Sequence, residues 1–238
     1  MNSSRLPGKV LKKVLGRPLL QYLIERLSHE PKVQQIVVAT TDDRNDEPIE
    51  EFCRNHGILC YRGSEADVLG RIFDAATVFG ADPVLRLTAD CPLLDVDVLS
   101  NQIDVFLEKN LDYCYLGLTF AEGVCADLCS YQILSYTNQH ATLDEDREHV
   151  TPFMHKNRNK FRVVGLENSV DDSRYRFVVD RREDFEVVSA IINDLYRSNE
   201  KPFGMRRVKQ YLDQNPEIYA INCDLVRNES YNAFRLIS

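Results

Sequence analysis

What most constrains the fold of this chain is the alternation of short apolar runs with amphipathic helical segments. Gln35-Ile-Val-Val-Ala-Thr40 reads as a buried strand ending in polar Thr40, Thr41 and Asp42. Asp46 to His56 follows as a helix closed by Gly57, then Ile58 to Tyr61 as a strand. A helix with Leu69, Ile72, Phe73 and Ala76 inward comes next, opened by a capping box at Ser64 and Asp67. Pro83 to Thr88 is a third strand and Leu94 to Glu108 a further helix. This rhythm predicts an α/β fold, a mainly parallel sheet flanked by helices. Ahead of it, Arg17 to His29 puts Leu19, Leu20, Leu23, Ile24 and Leu27 on one helical face.

After about Asn110 the rhythm changes. Strands are expected over Asp112 to Leu118, Cys125 to Tyr131, Phe161 to Leu166 and Tyr175 to Val179. Helices are expected over Gln132 to Gln139, over Phe185 to Tyr196, and from Phe203 toward Asn215. No linker or repeat divides the chain, so residues 1–238 read as one domain, with 112–160 as a separate subregion.

In α/β sheets, ligands gather at the carboxyl ends of the strands, and the candidate site residues sit at such ends. Thr88-Ala-Asp90-Cys-Pro-Leu-Leu-Asp95 follows the third strand. A short acid there suits Mg²⁺, which takes few protein carboxylates and leaves room for phosphate oxygens. Asp90 is read as that ligand and Asp95 as a helix cap. Arg176-Phe-Val-Val-Asp180 ends the same way, and Asp180 reads equally as a cap or a ligand. Two such acids converging on one metal would carry more weight than either alone.

The first residues carry a polyphosphate signal. Ser4, Arg5, Gly8 and Lys9 in SRLPGK offer exposed backbone N–H groups together with a guanidinium fork and an ammonium. The bland alternative is an exposed turn before a helix. Arg62, Gly63 and Ser64, with Arg86 on the third strand, are candidate nucleotide-binding residues; the alternative for the first group is the cap already named. Glu148 and His149, in Arg147-Glu-His-Val-Thr151, are candidates for orienting a hydroxyl-bearing substrate, although a lone helical His is more often structural. No HExxH, GxSxG or GxxxxGK[ST] occurs, which leaves zincin, α/β-hydrolase and Walker readings without support.

A net charge of −8, from 29 basic and 37 acidic residues, argues against a nucleic-acid partner. The seven cysteines include no CxxC pair and read as free thiols of a reducing cytoplasm. No apolar run approaches the ~20 residues of a membrane span.

The order of these motifs is similar to that of a known family. SSRLPGKVLKKVLGRPLLQYLIERL, IVVAT, RGSEADVLGRIFDAA, VLRLTADCPLLD, DREHVTPFM and RFVVDRREDFE resemble, nearly end to end, the SpsF branch of the cytidylyltransferases. That branch is itself similar to acylneuraminate and 3-deoxy-manno-octulosonate cytidylyltransferases. The resemblance implies a Rossmann-like nucleotide-diphosphosugar transferase fold, with CTP and Mg²⁺ as partners. The implied reaction forms a CMP-sugar with release of pyrophosphate. It assigns phosphate contacts to Arg5 and Lys9, metal contacts to Asp90 and Asp180, and catalysis to Lys9, Asp90 and Asp180. A homodimer is expected, with Phe120 to Pro152 as its interface. Two departures follow. Met1 coincides with the internal Met of the family's first motif, so the first strand is expected to be missing and an upstream start is expected in the gene. Asp127 stands where the branch has a Glu on the sugar side; a shift in sugar preference and no consequence are the two readings of the shorter acid. A glycosyltransferase of similar topology and an inactive, truncated homologue are the alternatives.

Overall fold

The computed structural model describes residues 1, 3, 5–124, 126–198 and 200–227. A two-residue hairpin opens it: β1 (Lys13–Val14) and β2 (Arg17–Pro18) pair antiparallel. Leu15 and Gly16 form the turn, both at positive φ (49° and 76°), as such hairpins require. The sequence pattern hides this turn, because Leu is not a turn-forming residue. The chain then enters α1 (Leu19–Ser28), which buries Leu19, Leu20, Leu23 and Leu27.

The alternation follows, with trimmed ends. β3 (Val37–Thr41), α2 (Glu47–Asn55), β4 (Leu59–Gly63), α3 (Val68–Phe79), β5 (Val84–Arg86) and α4 (Val96–Glu108) match the expected elements in order and type. Asp67 is the N-cap of α3, accepting from the Gly70 N–H at 2.8 Å, while the Ser64 hydroxyl accepts from the Asp67 N–H at 3.1 Å. The cap is therefore Asp67, three residues after the Ser64 of the expected box. Asp95 caps α4 as expected, accepting from Asp97 and Val98 N–H at 2.9 and 3.1 Å.

The second half holds β6 (Tyr113–Leu116), β7 (Asp127–Cys129), α5 (Tyr131–His140), α6 (Asp144–His149), α7 (Pro152–Lys156), β8 (Val163–Leu166), α8 (Arg182–Leu195), α9 (Met205–Gln214) and α10 (Pro216–Tyr219). The α/β class expected from the alternation is present, and the sheet is mixed. β3 and β4 pair parallel, and a four-stranded sheet has the order β5-β7-β6-β8. β6 and β8 are parallel, whereas β7 runs antiparallel to both its neighbours. Among the described residues, β3 and β5 each have one strand neighbour and one open edge.

The expected strand over Tyr175 to Val179 is not one. The segment is extended, but its backbone bonds go to loops, which supply no continuous ladder. Phe177 N–H donates to Glu122 O at 2.7 Å, and Val179 N–H to Asp90 O at 2.8 Å. Gly123 permits this closeness: at φ +92°, its absent Cβ would lie 2.4 Å from the Val178 nitrogen.

Tyr175, Phe177 and Val179 are buried beneath α8 and α9 with Val187, Val188, Ile191, Ile192 and Val208. A second cluster joins α1 and α4 to β6 and β7 through Leu23, Leu27, Leu99, Ile103, Cys114 and Leu128. All six cysteines among the described residues are free thiols.

Candidate active site

Three loops meet at the carboxyl end of β5. Residues 5–9 turn back on themselves: Gly8, at φ +67°, precedes a short 3-10 turn over Lys9–Leu11, and its absent Cβ would meet Met1 Cε at 3.1 Å. The loop after β5 carries Asp90, and the extended segment before α8 carries Asp180. The Val179–Asp90 backbone bond ties the last two together, so their carboxylates are neighbours although 90 positions apart in sequence.

Lys9 joins them. Its Nζ lies 2.6 Å from Asp90 Oδ2 and 2.9 Å from Asp180 Oδ1. Arg5 pairs with the other oxygen of Asp180. Burial alone would depress the Lys9 ammonium, but the charges and hydrogen bonds of Asp90 and Asp180 outweigh it and raise its pKa. The cluster is not sealed: side-chain exposure is 15% for Lys9 and 18% for each acid. In the second loop Cys91 Sγ donates to Asp90 Oδ1 at 3.6 Å and lies 3.3 Å from the Thr88 hydroxyl.

The helix-cap reading of Asp180 fails on geometry. Asp184 does the capping, accepting from Arg181 N–H at 2.9 Å and Asp180 N–H at 3.0 Å, which leaves the Asp180 carboxylate to Arg5 and Lys9. Asp184 is in turn gripped by Arg176, with Nε to Oδ1 at 2.8 Å and Nη2 to Oδ2 at 3.2 Å. Glu122 takes Arg176 Nη1 at 2.7 Å, and Asn222 Nδ2 donates to Asp184 Oδ1 at 3.0 Å. Burial would raise the Asp184 carboxyl, but hydrogen bonds from Arg176 and Asn222 and the Arg176 charge outweigh it and hold it below its ordinary value.

The other candidates fall into separate groups. Arg62 is engaged with the chain itself: Nε donates to Thr41 O at 2.9 Å, Nη2 to Asp43 O at 2.6 Å, and Nη1 reaches Glu50 at 2.7 Å. It fastens the loop after β3. Gly63 ends β4 beside Arg71, whose Nη1 donates to Ser64 O, while its Nε is buried without a hydrogen-bond partner among the described residues. Arg71 is the polar group at this end that pattern reading passed over; the available signal is the one basic residue of a mostly apolar helix. Arg86 pairs with Asp127 at 3.1 Å across the β5–β7 register. Tyr113 donates to Asp127 Oδ1 at 2.7 Å and its hydroxyl lies 3.0 Å from His155 Nε2. Neither Tyr113 nor His155 carries any local sequence signal for this role. Glu148 is exposed and His149 half-buried at the end of α6, which Arg147 anchors to Asp67. Val150, at φ 72° and ψ −58°, turns the chain there, with Thr151 N–H donating to His149 O at 2.8 Å. Ser4 lies outside the described residues.

Known proteins are similar to this chain over nearly its whole length. The family model described as cytidylyltransferase matches residues 1–222. An uncharacterized protein of Methanocaldococcus jannaschii is 34% identical over 236 residues, covering 96% of this chain and 93% of that protein. The spore coat polysaccharide biosynthesis protein SpsF of Bacillus subtilis is 29% identical over 225 residues, covering 91% and 92%. Among solved structures, a cytidylyltransferase from Leptospira borgpetersenii superposes with a TM-score of 0.86 at 31% identity, covering 92% of each chain. A CMP:2-keto-3-deoxy-manno-octonic acid synthetase complexed with CTP shares the fold, with a TM-score of 0.61 at 17% identity over 82% of this chain and 95% of that one. By sequence and by fold, this chain belongs to the cytidylyltransferase family, and it is a nucleotidyltransferase.

Proposed function

We propose that this enzyme transfers the cytidylyl group of CTP to a hydroxyl of an acidic sugar, giving a CMP-sugar for a surface polysaccharide or glycan. The observation that carries the reading is the Lys9 ammonium held between two carboxylates from two different chain segments, with Arg5 on the second. The CTP-bound synthetase of the same fold and the spore-coat relative support the nucleotide and the product class.

The oxygens of Asp90 and Asp180 converge within 2.6 and 2.9 Å of one cationic atom. That donor set fits Mg²⁺, which is content with two carboxylates and fills its remaining positions with water and phosphate. Bound between them, Mg²⁺ would neutralise triphosphate charge. The rest falls to the chain. The sugar hydroxyl oxygen bonds to the α-phosphorus, the bond to the bridging oxygen breaks, and pyrophosphate leaves with the electron pair while the hydroxyl proton passes to water. Little covalent work is asked of the protein, so positioning and charge dominate. Arg5 and Lys9 stabilise the leaving pyrophosphate, the flexible Lys9 stem letting its ammonium move from carboxylate to phosphate. Arg62, Gly63, Ser64 and Arg86 serve the nucleotide side, and Asp127, Glu148 and His149 the sugar side, within the 112–160 segment that also forms a dimer contact over 120–152. The reaction belongs in the cytoplasm; no described helix is long and apolar enough to cross a membrane.

A pyrophosphate-release screen of CTP, UTP, ATP and GTP against a panel of sugar acids tests this. CTP with one sugar acid is expected to exceed the other nucleotides by at least about a hundredfold, a site that hydrogen-bonds the base being able to reach about 10⁴. No release with any pair, or equal release with all four nucleotides, overturns the reading.

A further inference from the structure

Two arginines are buried among the described residues, and their surroundings differ. Arg176 is met by two carboxylates. Arg26, on α1, is 4% exposed and has no carboxylate within ion-pair distance. Its Nη1 donates to Leu94 O at 3.0 Å and Phe203 O at 2.8 Å, and the Phe203 ring lies 4.3 Å beneath the guanidinium. Nε and Nη2 make no hydrogen bond among the described residues, and they are not sealed in. Arg26 lines a narrow cleft between α1 and the α8–α9 connection.

Burial pulls the Arg26 pKa down to about 10, and the charges of Asp95 and Glu25 offset this only in part. Both acids are committed elsewhere. Asp95 accepts the N–H groups of Asp97, Val98 and Met205; Glu25 pairs with Arg17 and accepts from Tyr196. Around the mouth stand Arg197, Arg207 and Lys201, the last paired with Asp97 at 2.8 Å, together with Glu200 and the Arg17-paired Glu25. The Arg207 side chain has no partner among the described residues, and Arg197 bonds only the carbonyls of Asp194 and Tyr196. The cleft is thus locally cationic in an acidic protein.

We propose that this cleft binds a small, doubly charged oxyanion of the phosphate class, with Arg26 as its buried donor and Arg197 and Arg207 at its mouth. The Nε and Nη2 N–H groups lie on one edge of the guanidinium plane, the fork that meets an oxyanion with two parallel hydrogen bonds. The anion supplies the counter-charge that the protein withholds from Arg26. It also braces the loop that carries Asp90, because Arg26 holds the Leu94 carbonyl at the end of that loop. The site is separate from Arg5 and Lys9 and stands whether or not the sugar assignment does.

The test is thermal denaturation in inorganic phosphate against chloride at matched ionic strength. The wild type is run beside Lys9→Met, which weakens phosphate binding at the active site, and beside Arg26→Gln and Arg207→Glu. At about a hundredfold excess over its Kd, phosphate should raise Tm by roughly 5 °C. The rise should persist in Lys9→Met and be lost in both cleft variants. Arg207 is exposed, so Arg207→Glu decides the matter if Arg26→Gln does not fold. No rise in the wild type, a rise unchanged by Arg207→Glu, or one lost in Lys9→Met overturns the proposal.

Discussion

Asp180 and Asp184 are four residues apart, each faces an arginine, and they belong to opposite kinds of cluster. Around Asp180 two carboxylates share one ammonium and one half-exposed guanidinium, with 15–18% of the Lys9, Asp90 and Asp180 side chains open to solvent. Around Asp184 the side-chain exposure is 0% for the acid and 8% for Arg176, and both Asp184 oxygens are bonded. Saturated bonding and burial make the second cluster a strut. Partial exposure and convergent charge make the first a place where a ligand can exchange partners with the protein. The strut also serves the site, since Asp184 accepts the Asp180 N–H.

The most drastic way to break this contrast is Arg176→Met. It leaves Glu122 and Asp184 buried without a counter-charge, and the expected cost is about 3–5 kcal/mol of unfolding free energy. Urea denaturation measures it; a loss under about 1 kcal/mol would show the strut to be dispensable. Next comes Asp180→Asn, which removes one of the two converging carboxylates while Lys9 keeps Asp90. Pyrophosphate release should fall by about 10²–10³, while stability changes by no more than about 1 kcal/mol, as for a partly exposed pair. Retained turnover would sink the assignment of Asp180 to the reaction. The finest test is pH. The Asp184 pKa is lower when folded than its ordinary value of 3.8, so its contribution is fully present above that value and is lost as pH falls through the lower folded one. The acid limb of the stability curve should therefore flatten in Asp184→Asn, measured between pH 5 and 2. An identical limb in both proteins would mean that Asp184 carries no linkage.

Most of the first half was legible, because its elements are set by local rules. Apolar periodicity, Gly57 after α2 and Asp95 before α4 mark ends that any packing must respect. The misses are all cases where a distant partner decides. The Leu15-Gly16 turn is set by packing of Val14 and the Tyr22 hydroxyl bond to its carbonyl, against the preference of Leu. The 175–179 segment has a strand's composition and no neighbouring strand, because loops at Glu122 and Asp90 took its hydrogen bonds. Arg62, the candidate nucleotide contact, also fastens the loop after β3 through Thr41, Asp43 and Glu50, partners that no local pattern reveals.

By itself the sequence determined the α/β alternation and the placing of acids at strand ends, because periodicity and chain punctuation act over a few residues. With its order of motifs, it also determined the family. Tertiary structure alone decided which charges meet. Lys9 reaches Asp90 across 81 residues and Asp180 across 171. It also decided that Asp180 is open and Asp184 closed, and that Arg26 is buried without an acid in ion-pair contact while Arg176 has two. Burial and partner choice depend on how remote segments pack, and no local pattern encodes the dielectric around a charge.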